Sequence, residues 1–118
     1  MYVGSNVTVM VSDLAASVAW YTERVGLELH FQAGEEWAEV TAPGLTIGLH
    51  QAGEHGPRPG SSGSVSIGLQ VPDFDTALEV LKRRGVELTG DPIVNGPVKL
   101  GFLEDPDGTS LYLCEASR

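Results

Sequence analysis

With 118 residues, the chain is long enough for one domain with its own core and too short for two ordinary ones. A hydrophobic share of 42% against 19% charged is that of a globular chain, and 16 acids against 7 Lys and Arg, a net charge of −9, argue against nucleic acid as a partner. No apolar run nears the roughly 20 residues that span a bilayer, and the segment Met1 to Ser5 offers neither the basic nor the apolar region of a leader, so a soluble, cytoplasmic protein without a membrane partner is expected.

The first periodic stretch, Asn6 to Val11, alternates as a strand, with Val7, Val9 and Val11 on one face and Asn6, Thr8 and Met10 on the other. A helix follows, with Leu14, Val18, Tyr21 and Val25 on one stripe, Asp13 as N-cap and Gly26 as its stop. Strands are predicted over Leu27 to Phe31, Trp37 to Thr41 and Leu45 to His50, with turns at residues 33–36 and 42–44. The order is βαβββ. Residues 53–63, rich in Gly, Pro and Ser, read as a linker.

The same order then returns. Val65 to Val71 is a predicted strand with Val65, Ile67, Leu69 and Val71 on one face. Asp73 caps a helix whose stripe is Phe74, Ala77, Leu78 and Leu81, and Gly85 ends it. The rest reads as a short strand over Val86 to Leu88, a loop over Asp91 to Pro97, a strand over Val98 to Glu104, an Asp-Pro-Asp-Gly turn, and a last strand over Thr109 to Glu115. Lys82, Arg83 and Arg84 form a basic cluster at the helix end, where cations favour the macrodipole.

The halves superpose as sequences. Asp13 matches Asp73 at an offset of 60, Gly26 matches Gly85 at 59, and the hairpin glycines Gly44 and Gly108 match at 64. Each match is a cap, a helix stop or a turn, which argues for an internal repeat, with the drift in offset expected in loops. One domain over residues 1–118 is therefore expected, with module one at about 5–52 and module two at about 64–116. The fold class is α+β: two tandem βαβββ modules forming a half-open barrel, helices outside and a cup inside. The faces turned away from the helices (Asn6, Thr8 and Met10; Ser66, Gly68 and Gln70) are partly polar. They read either as a solvated sheet face or as converging polar groups of a ligand concavity.

The segments Val-Ser-Asp-Leu-x-x-Ser-x-x-Trp-Tyr-x-x-x-x-Gly-Leu, from Val11 to Leu27, and Phe-Leu-Glu-Asp-Pro-Asp-Gly-Thr-Ser-Leu-Tyr-Leu-x-Glu, from Phe102 to Glu115, resemble the vicinal oxygen chelate superfamily. That group includes glyoxalases, extradiol dioxygenases, fosfomycin-resistance enzymes and bleomycin-resistance proteins. The resemblance spans almost the whole chain. It implies the fold more than the reaction, because the fold hosts many. It also implies a homodimer, with the cup formed within one chain or shared by exchange of halves.

In the metal-dependent members, four inward strand positions supply His, Gln or Glu to a divalent cation. By the resemblance those positions are here Asn6, Ser66, Gly48 and Tyr112, which lack imidazole and carboxylate. No metal ligand and no cofactor is therefore predicted. His30 falls in a strand, His55 in the linker and His50 at a strand end, where it is a candidate ligand contact or general base, with Glu39 as the other candidate base. Trp37, Phe102 and Tyr112 read either as core or as cup aromatics able to stack on a planar or cationic ligand. The ligand-binding set expected is thus Asn6, Thr8, Trp37, Gly48, His50, Ser66, Gln70, Phe102 and Tyr112. Cys114 has no partner for an internal disulfide and reads as a small packed thiol.

Up to Pro57, Arg24 is the only Lys or Arg against Asp13, Glu23, Glu28, Glu35, Glu36, Glu39 and Glu54. The function this favours is a metal-free small-molecule-binding protein that sequesters a cationic or aromatic compound, like the drug-resistance members of the superfamily. The alternative is a glyoxalase- or dioxygenase-like enzyme, a lyase, isomerase or oxidoreductase, acting on a small oxygenated substrate. A third reading is an interaction module with a filled cup.

Overall fold

The structure is a computed structural model that describes residues 1–60 and 63–115. Residues 61 and 62 of the predicted linker and residue 116 of the predicted second module lie outside the described residues. Two compact units part between Gly60 and Ser61.

The first unit runs β1 (Val7–Val11), α1 (Leu14–Ala19) continuing into a π-helical turn (Trp20–Arg24), β2 (Glu28–Ala33), β3 (Trp37–Ala42) and β4 (Leu45–Gln51). Its sheet has the order β1-β4-β3-β2; β1 is parallel to β4 and the other pairs are antiparallel. The second unit runs β5 (Ile67–Gln70), α2 (Phe74–Arg83), β6 (Ile93–Asn95), β7 (Val98–Glu104) and β8 (Ser110–Glu115), with the order β5-β8-β7-β6. The fold is α+β, two tandem βαβββ modules with one four-stranded mixed sheet each.

Both helices start by the same device. Asp13 Oδ1 accepts the Ala16 N–H at 3.1 Å, and Asp73 Oδ1 accepts the Thr76 N–H at 3.1 Å. A second free N–H of each helix is taken by the end of the module's last strand. Leu14 N–H donates to Gln51 Oε1 at 2.8 Å, and Phe74 N–H donates to Glu115 Oε1 at 3.1 Å. These bonds tie helix to sheet and close each module on itself.

Each core lies between the helix and one face of its sheet. In module one it holds Val9, Val11, Leu14, Tyr21, Ala38, Val40, Ile47 and Leu49; in module two, Ile67, Phe74, Leu81, Val86, Leu103, Leu111 and Leu113. Removing that apolar area from water is the main force holding either helix down. Gly101 lets this happen in module two. A Cβ there would sit 2.9 Å from Leu88 Cδ1 and 3.0 Å from Phe74 Cζ, so only a bare backbone admits both side chains.

The structure corrects the sequence reading in four places. The strand expected at Val86 to Leu88 is irregular, and the expected loop contains β6 instead. Val86 is spent on the core directly after the helix stop, whereas Gly96 (φ 60°) and Pro97 make a two-residue hairpin that pairs Asn95 with Val98. The strand β5 begins at Ile67, and Val65 is 62% exposed rather than against the helix. Val7 is likewise exposed at the start of β1. Lastly, one step of the drift between the repeats falls inside a helix. Thirteen positions separate Asp13 from Gly26, and twelve separate Asp73 from Gly85. The extra residue is absorbed as the π-helical turn, where Val25 N–H bonds Trp20 O and Leu27 N–H bonds Tyr21 O. In α2 the equivalent closing bond runs from Val86 N–H to Leu81 O, one residue tighter.

Candidate functional site

The face of each sheet turned away from its helix carries the side chains the packing does not use. In module one the register places Thr8 opposite Gly48 and Met10 opposite His50. It places Trp37 opposite His50, Glu39 opposite Gly48, and Phe31 opposite Glu39. Residues directly opposite share a face, so Thr8, Met10, Phe31, Trp37, Glu39, Gly48 and His50 form one surface.

The centre of that surface is built around Gly48. A Cβ at Gly48 would lie 2.7 Å from Trp37 Cζ2 and 3.0 Å from Cζ3, with Cη2 closer still; the six-membered ring of the indole occupies the space where a side chain would stand. The ring is held at its other end, since Trp37 Nε1–H donates to Glu39 Oε2 at 3.0 Å. Two positions apart on one strand, both side chains point the same way. His50 meets the indole edge-on, with ring centroids 6.0 Å apart and planes at 71°. Its Nδ1 lies 2.8 Å from the Gln51 carbonyl oxygen. A carbonyl only accepts, so Nδ1 carries the proton in the neutral ring and Nε2 carries the lone pair. His50 is exposed, Trp37 and Glu39 half-buried.

Module two repeats the theme with different parts. Gly68 lies opposite Tyr112, and Phe102 opposite Tyr112. The phenol ring covers Gly68, whose Cβ would stand 2.9 Å from Cε1. Phe102 packs beside it with centroids 5.7 Å apart. Gln70 and Cys114 are opposite each other further along. The Ser66 and Ser110 hydroxyls pair at 2.8 Å at the other end.

Of the residues singled out from sequence, Thr8, Trp37, Glu39, Gly48 and His50 share one face, and Asn6, just before β1, joins them through its amide, which donates to Thr8 Oγ1 at 3.0 Å. Ser66, Gln70, Phe102 and Tyr112 share the corresponding face of module two. His30 stands apart, at the bulge between Leu29 and Phe31, and His55 lies in the loop after β4. Sequence reasoning missed the seating of Trp37 on Gly48 and of Tyr112 on Gly68, and the parts of Phe31 and Ser110. The signal available was a strand glycine one strand away from an aromatic residue of the same face, with Glu39 two places after Trp37.

The four positions that the resemblance assigns to a metal do not fit a divalent cation. Gly48 is roofed by the indole, the Asn6 amide and the Ser66 hydroxyl are engaged with neighbours, and the phenol end of Tyr112 fills the side-chain space of Gly68. Among the described residues, no three His, Cys, Asp or Glu side chains come together. Hard cations favour converging carboxylates, and softer ones imidazole or thiolate; among the described residues, Glu39, His50 and Cys114 of these faces do not converge into such a set.

Among the described residues, no helix is long and apolar enough to cross a membrane. No curated protein matches the chain. Solved structures do. A glyoxalase/bleomycin resistance protein/dioxygenase superfamily member from Sphaerobacter thermophilus DSM 20745 has 26% identity, a TM-score of 0.77, and coverage of 98% of each chain. A glyoxalase/bleomycin resistance protein from Catenulispora Acidiphila DSM 44928 has 26% identity and a TM-score of 0.76, covering 98% of this chain and 100% of that one. TnmS3, an antibiotic binding protein from Streptomyces sp. CB03234, has 28% identity and a TM-score of 0.74, with 99% of each chain covered. Residues 5–113 match the family itself, and the chain belongs to the Glyoxalase/Bleomycin resistance protein/Dioxygenase superfamily.

Proposed function

We propose that this chain is a metal-free small-molecule-binding protein that sequesters an aromatic or cationic compound. The observation that carries this reading is the roofing of Gly48 by Trp37: the position that the resemblance assigns to a metal ligand holds an indole ring with Glu39 at its edge. The likeness to an antibiotic binding protein supports it. The acidic first module supports a cationic guest, through long-range attraction as well as contact. On this reading the protein works as a cytoplasmic homodimer, which sedimentation of the purified chain checks. Isothermal titration against a panel of cationic and flat aromatic antibiotics tests the binding itself. Micromolar or tighter binding of at least one compound, unchanged after dialysis against a chelator, is expected. A panel without a single binder, or binding that returns only with added metal, sinks the proposal.

One observation favours a second reading, a metal-free enzyme. The Gln51 carbonyl fixes the His50 tautomer and leaves Nε2 exposed as a base. On that reading a lyase or isomerase substrate loses a proton to His50 Nε2. Turnover of a small oxygenated substrate that His50→Asn abolishes, with binding retained, would establish it.

A further inference from the structure

Resting on the binding reading above, we infer that Gly48 and Glu39 act as positioning residues for Trp37: Gly48 as a seat and Glu39 as a clamp, so that the indole forms a fixed platform selecting rings with delocalised positive charge over neutral rings of like size. Three observations converge on it. The tip of the indole is seated against bare backbone, because Cη2, Cζ2 and Cζ3 of its six-membered ring fill the side-chain space of Gly48. Its nitrogen edge is anchored to Glu39 Oε2 at 3.0 Å, and the His50 ring packs against it in a T-shaped contact. A ring held at its tip and at its nitrogen edge loses little rotational freedom when a guest stacks on it, so stacking costs less ordering entropy than on a free side chain.

The selectivity follows from what accepts the hydrogen bond. A carboxylate accepting from an indole N–H pushes electron density into the ring, which deepens the negative face that a cation meets. Glu39 also adds its own charge at close range. Glu28 stands on the same face, opposite Thr41, and none of the strand residues of that face is Lys or Arg. A guest with spread positive charge is therefore met by ring and carboxylate together, whereas a neutral guest gains the stacking alone.

The test uses the full chain with two probes that share one bicyclic ring, cationic N-methylquinolinium and neutral quinoline, at neutral pH, and follows the Trp37 indole N–H by nitrogen-15 NMR after its assignment with Trp37→Phe. The wild-type chain is expected to prefer the cation by about tenfold. Glu39→Gln keeps an acceptor and loses the charge, so the preference falls to about twofold or less. Glu39→Ala and Gly48→Ala release the clamp and the seat; both probes then weaken together, and the indole N–H shifts and exchanges faster with solvent. An unchanged preference in Glu39→Gln, or an indole N–H unmoved in Gly48→Ala and Glu39→Ala, overturns the inference. Failure of wild type to bind either probe while still binding another compound of the panel overturns the selectivity alone. Failure to bind anything overturns the binding reading, and the indole signal then still decides whether seat and clamp exist.

Discussion

The two modules are built by the same instructions and finished differently. Each has an Asp cap, a long-range acceptor from its last strand on the first turn of its helix, a glycine stop with positive φ (92° at Gly26, 82° at Gly85), and a glycine-seated aromatic on its open face. These shared parts are the ones that close the chain on itself. The differences sit where closure does not constrain. Module one has a six-residue edge strand and a widened helix end; module two has a three-residue edge strand and a regular helix. Its aromatic comes from a directly opposite position, whereas Trp37 reaches Gly48 diagonally. The repeat thus preserves what holds helix to sheet and varies what the open faces present.

The sharpest way to break this comparison is to delete one residue from each helix end. Deleting Glu23, exposed and within the π-helical turn, gives module one the cap-to-stop spacing of module two and lets the turn relax to an α-helix. The expected loss is about 1 kcal/mol or less. Deleting Arg83 has no slack to draw on. It moves Val86 from the core into the positive-φ position of Gly85, which forfeits a buried side chain and strains a β-branched residue. The expected loss is about 3–5 kcal/mol. Urea midpoints by circular dichroism measure both, and equal losses would mean that the π-helical turn is not stored slack.

A second contrast lies at the last hairpins. In module two the 5% exposed Asp105 carboxylate accepts the Asp107 N–H at 2.9 Å and the Thr109 N–H at 2.8 Å, which shapes the turn from within. Its repeat mate Thr41 carries no such task, because Pro43 and Gly44 (φ 78°) turn the chain in two residues. Asp105→Ala should cost about 2–4 kcal/mol, since two part-buried N–H groups lose a charged acceptor. Thr41→Ala should cost under about 1 kcal/mol. Asp105→Asn, which keeps one acceptor oxygen, should fall between, and the ranking is read from thermal unfolding of the three variants.

These hairpins also show what the sequence could reveal. Asp-Pro-Asp-Gly and Ala-Pro-Gly are local instructions, and so are Asp13, Asp73 and the helix-stop glycines; residues that act on their own neighbours are legible. The strand at Ile93–Asn95 was not, because its six-residue surroundings are fully exposed and carry no core alternation. Val86 misled for the converse reason: it is apolar for the core and not for a sheet. At the site, the alternation of β1 was legible and put Thr8 on the face turned from the helix, whereas it is the register that brings Glu39, Gly48 and His50 to the same face. It could not say that an indole lies across Gly48, since that is a diagonal contact set by side-chain torsions and not by register.

The smallest expected effect concerns the buried faces of the helices. Ser17 is 1% exposed on α1, and its hydroxyl has no hydrogen-bond partner. Its mate in α2 is Ala77, half-buried and free of polar atoms on its side chain. Burying an unpaired hydroxyl costs desolvation without a returning bond, and Ser is the poorer helix former of the two. Ser17→Ala should therefore stabilise the chain by about 1 kcal/mol. The reverse change, Ala77→Ser, should destabilise it by less, because a half-exposed hydroxyl can still reach water. Parallel urea titrations separate the two signs. A Ser17→Ala chain that unfolds earlier than wild type would mean that the hydroxyl is paired in solution, and that the helix of module one is held to its sheet by a polar contact which module two lacks.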